Sequence, residues 1–314
     1  MNLRSELIAL SNPFKSGIEW VQSAGGNTSV KDQLLMEIKA SGMRLSDINE
    51  DRGAVDVNHK KVSTYFYDES LELNNPNKES KEFVTSCIVG SDQFLPSMET
   101  GFHAVLNKYV VHTHPMYLNV ILCSKGGEEI INDLFKEQTY IPYVTPGYPL
   151  SKAIARSDKK KLIFLENHGL ISHSDNLQEA IDLHLGVTEK LDYKFPAINY
   201  LPLERIAEEK YCFTDTDGLL EVLNDVDLKD QLFPDQAVFL HNKIGSGEFP
   251  IQIEKDKIMY SLPDQKVMGV HEVLYSVLWI LNAQKMNNLA PKYISDAAVA
   301  EILGLDMEKY RQSL

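Results

Sequence analysis

The apolar and polar positions divide the chain into short strand-like runs separated by stretches of helical period, the rhythm of an α/β protein. Residues 1–20 read as helix, interrupted at Asn12-Pro13, where proline removes a backbone donor. Strand-like runs follow at 34–40, 54–57 and 62–67, and the polar stretch 68–82, with Asn74-Asn75-Pro76-Asn77, reads as an exposed loop. A helix is expected after Pro96-Ser97, with Ser97 as its N-cap. Next come a strand at 108–113, helical segments through Lys136, a strand at 140–144 and a helix after Pro149. Two short strands, 161–165 and 169–173, flank Glu166-Asn167-His168. A long helix over 176–191 places Ala180, Leu183, Val187 and Leu191 on one face. Beyond residue 200 the acidic run 204–230 reads as a solvated helical face. A strand at 237–240, a hairpin through 251–262 and helices over 266–286 and 294–312 complete the reading.

Length adds a domain count. At about 150 residues per domain, 314 residues suggest two: a main body over 1–200 and a smaller α+β extension over 201–314. The net charge of −14 argues against a non-specific nucleic-acid binder and against electrostatic attachment to an anionic membrane. The extension, with 11 Lys+Arg against 19 Asp+Glu, carries −8 of that charge. A small anionic substrate stays possible, because a metal ion and backbone N–H groups can hold one locally. No apolar run approaches the ~20 residues of a membrane span, and the first residues lack a signal-peptide core, so a cytoplasmic protein is expected. Cys87, Cys123 and Cys212 are far apart and read as buried reduced thiols.

The chemistry concentrates in a few short motifs. In Tyr109-Val110-Val111-His112-Thr113-His114-Pro115, strand alternation puts His112 and His114 on one face, where two imidazoles can share a metal ion. Alone, such a pair is more often two satisfied polar side chains. His168, in the turn Asn167-His168-Gly169, offers a third nitrogen; three histidines with an open position make a catalytic rather than a structural zinc site. Glu99 sits in the first turn of an expected helix, either as a dipole partner or as a general acid/base. The loops Gly25-Gly26-Asn27-Thr28-Ser29 and Ala40-Ser41-Gly42 are ordinary turns or anion-binding nests. His103 follows Glu99 by one helical turn and either serves the site or packs in the core. Asp235 either extends the site or, the commoner outcome, caps a turn.

In this order and spacing, Gly-Gly-Asn-Thr-Ser, Ala-Ser-Gly, Pro-Ser-Met-Glu-Thr, His-Thr-His-Pro and Asn-His-Gly resemble the class II aldolase/adducin family over roughly residues 5–195. Pro-Ser-Met-Glu-Thr and Leu232-Phe233-Pro234-Asp235-Gln236-Ala237-Val238 are most similar to its larger members, including the aldolase part of fused rhamnulose-phosphate aldolase/lactaldehyde dehydrogenase proteins. The resemblance implies a three-layer α/β/α fold around a mixed, mostly antiparallel sheet. It implies Zn²⁺ (Mn²⁺ or Co²⁺ as substitutes) on His112, His114 and His168, and Glu99 as acid/base. Asn27, Ser41, Gly42 and Ser97 would line a substrate phosphate. The implied reaction is reversible aldol cleavage of a sugar phosphate through a metal-stabilised enediolate, in a homotetramer. Epimerases, dehydratases and decarboxylases of the family share this site, and adducin heads keep the fold without the metal ligands. Two departures stand out: Met98 replaces a serine of some phosphate-binding members, and Tyr140, Tyr143 and Tyr148 do not single out the family's proton-donor tyrosine.

Overall fold

A computed structural model describes residues 2–90 and 94–305. Seven strands build the central sheet: β1 (Asn27–Lys31), β2 (Leu35–Lys39), β3 (Ala54–Asn58), β4 (Tyr109–Thr113), β5 (Thr139–Ile141), β6 (Leu162–Leu165) and β7 (Gly169–Ser174). Their order is β3-β2-β1-β4-β7-β6-β5, and every pairing is antiparallel except β5 with β6. The mixed, mostly antiparallel sheet implied by the motifs is therefore present.

Helices cover both faces. On one face α2 (His59–Tyr67), α3 (Pro76–Ser86), α4 (Thr100–Val105) and α7 (Tyr148–Arg156) pack around Met36, Ile38, Val57, Val110 and Ile171. On the other, α1 (Leu3–Ser11) and α8 (Leu177–Glu189) enclose Val30, Tyr109 and Val111. There α5 (Met116–Leu122) and α6 (Gly127–Leu134) close over Phe164 and Leu170. Val110 and Val111 thus face opposite layers, as strand alternation requires.

Residues beyond 200 form a second, four-stranded sheet of order β10-β11-β9-β8, from β8 (Glu204–Ala207), β9 (Lys210–Thr214), β10 (Ile251–Ile253) and β11 (Lys257–Ser261). Around it lie α9 (Pro234–Leu240), α10 (Asp264–Met286) and α11 (Asp296–Gly304). The core of this half is continuous with the first: Met116, Val120 and Cys123 of the α5 region are buried in one cluster with Val273, Val277 and Leu281 of α10.

Several elements differ from the pattern-based expectation. The run 62–67 is helix α2, because Asn58 caps it by accepting from the Lys61 N–H at 3.2 Å and Val62 and Phe66, one turn apart, are buried. The expected loop 68–82 contains the start of α3, with Asn75 as N-cap and Pro76 at the first helical position. Ser97 is not the N-cap of α4: Glu99 occupies that position, and the Ser97 carbonyl accepts from the Thr100 N–H at 3.1 Å. Asn27, Thr28 and Ser29 are strand β1, not loop. The run 237–240 is helix α9, begun by Pro234. The acidic stretch 204–230 holds the β8–β9 hairpin and a 3₁₀ turn, Leu219–Asn224; the turn around Glu208 and Glu209 puts their charges in water. The end of the helix expected over 294–312 lies outside the described residues. Cys87, Cys123 and Cys212 are buried free thiols. Among the described residues no helix is long and apolar enough to cross a membrane.

Candidate metal centre and active site

The site lies at the end of β4, where three elements converge. β4 directs His112 towards α4, with Phe102 edge-on at 5.6 Å between ring centroids. His114 follows just past the strand end. His168 arrives from the turn between β6 and β7, where Asn167 has φ +51°. Gly169 allows that turn to lie against β4: a Cβ there would run into the Thr113 carbonyl. Expected same-face placement of His112 and His114 holds, and His168 joins them. The three ring centroids are 5.0 Å apart in each pair. One ligand-capable atom from each side chain falls within 4.8 Å of the others, and all three residues are buried.

Hydrogen bonds assign the tautomers of two rings. His112 Nδ1–H donates to the Leu170 carbonyl at 3.0 Å. His114 Nδ1–H donates to Asp235 Oδ2 at 2.9 Å. Their Nε2 lone pairs then face each other at 3.1 Å, an arrangement that repels unless a cation or proton lies with them. Burial pushes His112 down to about 4 and His168 to about 3, against the pull of the Glu99 carboxylate, so both are neutral and ligand-ready at neutral pH. Burial opposes ionisation of Glu99. The neighbouring His112 and His168 and the Asn27 amide outweigh it and hold the carboxyl at about 2. Glu99 Oε2 lies 3.4 Å from His112 Nε2, and Oε1 lies 3.5 Å from His168 Nε2 and makes no hydrogen bond. Neutral imidazole nitrogens beside two buried carboxylates, Glu99 and Asp235, form a donor set that fits a divalent cation.

Asn27 sits opposite His112 in the β1–β4 register. Its Nδ2 donates to Glu99 Oε2 at 2.7 Å and to Ser97 Oγ at 3.1 Å. Its Oδ1 is bonded to His103 Nε2, and His103 Nδ1 to Ser29 Oγ at 2.7 Å. Burial keeps His103 far below its ordinary pKa, hence neutral. His103 is therefore part of the site: it fixes the amide orientation that holds Glu99.

The pocket is lined by Gly25, Gly26, Asn27, Ser41, Gly42, Ser97, Met98, Glu99, His114 and His168, so the residues singled out from the motifs gather around one cleft. One lining residue, Lys39, was not foreseen there, and of the two readings open for Asp235 the less common one, an extension of the site, is the one seen. Lys39, buried, is the one cationic side chain among the described lining residues; its Nζ donates to the carbonyls of Ala24 and Met43 at 3.0 and 2.6 Å. Its position one residue before Ala40-Ser41-Gly42 was the available signal. Asp235 reaches the cleft from α9, and no sequence spacing connects it with a histidine 121 residues away. A cavity of about 300 Å³ adjoins the cleft, with Ser97 and Met98 in both walls. None of the three candidate tyrosines lines the cleft: Tyr140 donates to Glu166 at 3.1 Å, Tyr148 packs on Phe66, and Tyr143 packs beside α9.

Fold and histidine cluster together define a class of protein, and sequence comparison agrees. The model of the Class II Aldolase and Adducin N-terminal domain matches residues 6–191, and the chain belongs to that family. It is 27% identical over 206 residues to the protein named Uncharacterized oxidoreductase YuxG from Bacillus subtilis (strain 168), covering 60% of this chain and 29% of that protein. The chain thus spans less than a third of that relative's length. The N-terminal class II aldolase domain of a conserved protein from Thermoplasma acidophilum superposes with a TM-score of 0.52 at 24% identity, over 59% of this chain and 90% of that domain. An L-fuculose 1-phosphate aldolase aligns with a TM-score of 0.42 at 21% identity, over 60% of this chain and 82% of the other.

Proposed function

We propose that the protein is a metal-dependent lyase that reversibly cleaves a carbon–carbon bond in a phosphorylated hydroxy-ketone. One observation carries this reading: three buried imidazoles and one ionised carboxylate converge at one point, and His114, His168 and Glu99 among them line a single cleft. His112, His114 and His168 would hold Zn²⁺, with Mn²⁺ or Co²⁺ as substitutes. When bound, such a cation supplies Lewis-acid charge that stabilises negative charge developing on neighbouring oxygens. Glu99 moves the proton at Oε1, the oxygen that accepts no hydrogen bond, while Asn27 anchors Oε2. Ser41, Gly42, Ser97 and Asn27 receive the phosphate, and Lys39 adds the positive charge such an anion favours. The retained histidines and Glu99 favour an enzyme over a non-catalytic adducin-like module. Tetramer formation and a cytoplasmic site of action belong to the same proposal.

The test is a screen of the metal-loaded protein against phosphorylated ketoses and sugar acids, with product identification. Two shorter products from a ketose phosphate support the lyase. Products formed without C–C cleavage overturn it in favour of an epimerase or dehydratase on the same centre, and release of CO₂ from a sugar acid overturns it in favour of a decarboxylase. Glu99→Gln should keep metal content while losing most turnover, and wild-type turnover in that variant removes Glu99 from the proton transfer.

A further inference from the structure

Resting on the reading of His112, His114 and His168 as metal ligands, we propose that Asp235 is a positioning residue of that centre. Residues 201–314 then complete the site that the family domain of residues 6–191 begins. Asp235 lies at the second position of α9, is 2% exposed, and accepts from His114 Nδ1 at 2.9 Å. That bond turns His114 so that Nε2 faces His112 and the cleft. A carboxylate behind a ligating imidazole fixes the ring's tautomer and orientation and raises the basicity of the far nitrogen.

The surroundings are shaped for this contact. A Cβ on Gly25 would come within 2.8 Å of Asp235 Oδ2 and 3.0 Å of His114 Nδ1, so any larger residue there would crowd the pair. The segment that delivers Asp235 is itself tied to the ligand turn. Asn167, next to His168, donates from Nδ2 to the carbonyls of Leu232 and Lys292 at 2.8 and 2.7 Å. Gln236 accepts from the Leu232 N–H at 2.7 Å, closing the turn into α9. On the far rim Glu272 of α10 accepts from the Ser23 N–H at 2.7 Å and pairs with Arg44 at 2.9 Å, holding the loop that leads to Gly25. The extension therefore grips the histidine turn, the glycine loop and one imidazole at once.

The experiment uses the full chain, stripped with chelator and titrated with Zn²⁺ against a competing chromophoric chelator. Wild type, Asp235→Asn and Asp235→Ala are compared, with Co²⁺ absorption spectra and melting of the metal-free proteins alongside. The expected result is one Zn²⁺ per wild-type chain, affinity lowered about 10- to 100-fold in Asp235→Ala and less in Asp235→Asn. Both variants should show a changed Co²⁺ spectrum. Asp235→Asn keeps the shape and an acceptor oxygen, so its metal-free melting should match wild type and separate positioning from folding. Wild-type affinity and spectrum in Asp235→Asn and Asp235→Ala overturn the proposal. So does an affinity loss that only tracks lower metal-free stability with an unchanged spectrum. Absence of metal uptake by the wild type overturns the ligand reading itself, a result distinct from either.

Discussion

Glu99 is anchored through one oxygen only, and the anchor is a neutral amide. Asn27 Nδ2 donates to Oε2 at 2.7 Å, and the chain Ser29–His103–Asn27 decides which end of the amide faces the carboxylate. Replacing Asn27 by Asp keeps an acceptor for His103 but sets a second carboxylate beside Glu99. Two such groups cannot both ionise cheaply, so one pKa rises. In the metal-loaded protein the acid limb of the kcat/KM profile should move up by at least about one pH unit. An unmoved limb would mean that Glu99 is not the ionising base. At this scale much was legible. Strand alternation alone placed His112 and His114 on one face. The role of His103 was half visible, one helical turn from Glu99. Asp235 was open to two readings, with the turn cap favoured, because its partner His114 lies 121 residues away and nothing local marks the contact.

The β6–β7 turn shows the same logic for a whole element. Asn167 combines a positive φ with two donor bonds into carbonyls of the second half. Asn167→Ala should suffer twice. The buried Leu232 carbonyl loses a donor at roughly 1–3 kcal/mol, the half-buried Lys292 carbonyl loses one at lower cost, and alanine pays about 1–2 kcal/mol more for the left-handed backbone. Asn167→Gly should lose the bonds but tolerate the backbone. Thermal melting should rank wild type above glycine above alanine, and equal melting of all three would deny the turn its role in holding His168. Elements such as β4, β6 and β7 were readable because each is a short apolar run bounded by turn residues. α2 was not: Val62, Tyr65 and Phe66 carry strand propensity, and the outcome was decided by the Asn58 cap and by burial of Val62 and Phe66 against α4 and the sheet. α9 was misread because Ala237, Val238 and Leu240 are all buried, which erases the periodicity that distinguishes helix from strand. The acidic run failed for the opposite reason, since charge reports exposure and not backbone shape.

For the molecule as a whole, the family domain and the remainder share one core. Met116, Val120 and Cys123 of the first half are fully buried in one cluster with α10, which packs against α5. Residues 1–200 expressed alone should therefore expose that apolar face, bind a hydrophobic dye and aggregate; a monodisperse fragment with native-like near-UV dichroism would refute the dependence. The second half also supplies a pH response away from the metal centre. His271 of α10 donates from Nε2 to the Tyr200 carbonyl and accepts at Nδ1 from the Tyr260 hydroxyl, each at 2.7 Å. Burial holds it at about 4, against 6.5 for a free imidazole. Between those values the unfolded chain binds the proton and the folded one does not. Stability must then rise with pH through that window and be lost as pH falls from 6.5 towards 4, by up to about 3 kcal/mol for this one group. His271→Gln removes the titration while leaving an amide to bridge the two partners. Denaturant unfolding measured from pH 7 down to 4 should show a shallower loss for the variant, by about one bound proton. Parallel curves for variant and wild type would mean that His271 keeps its ordinary pKa in the folded protein.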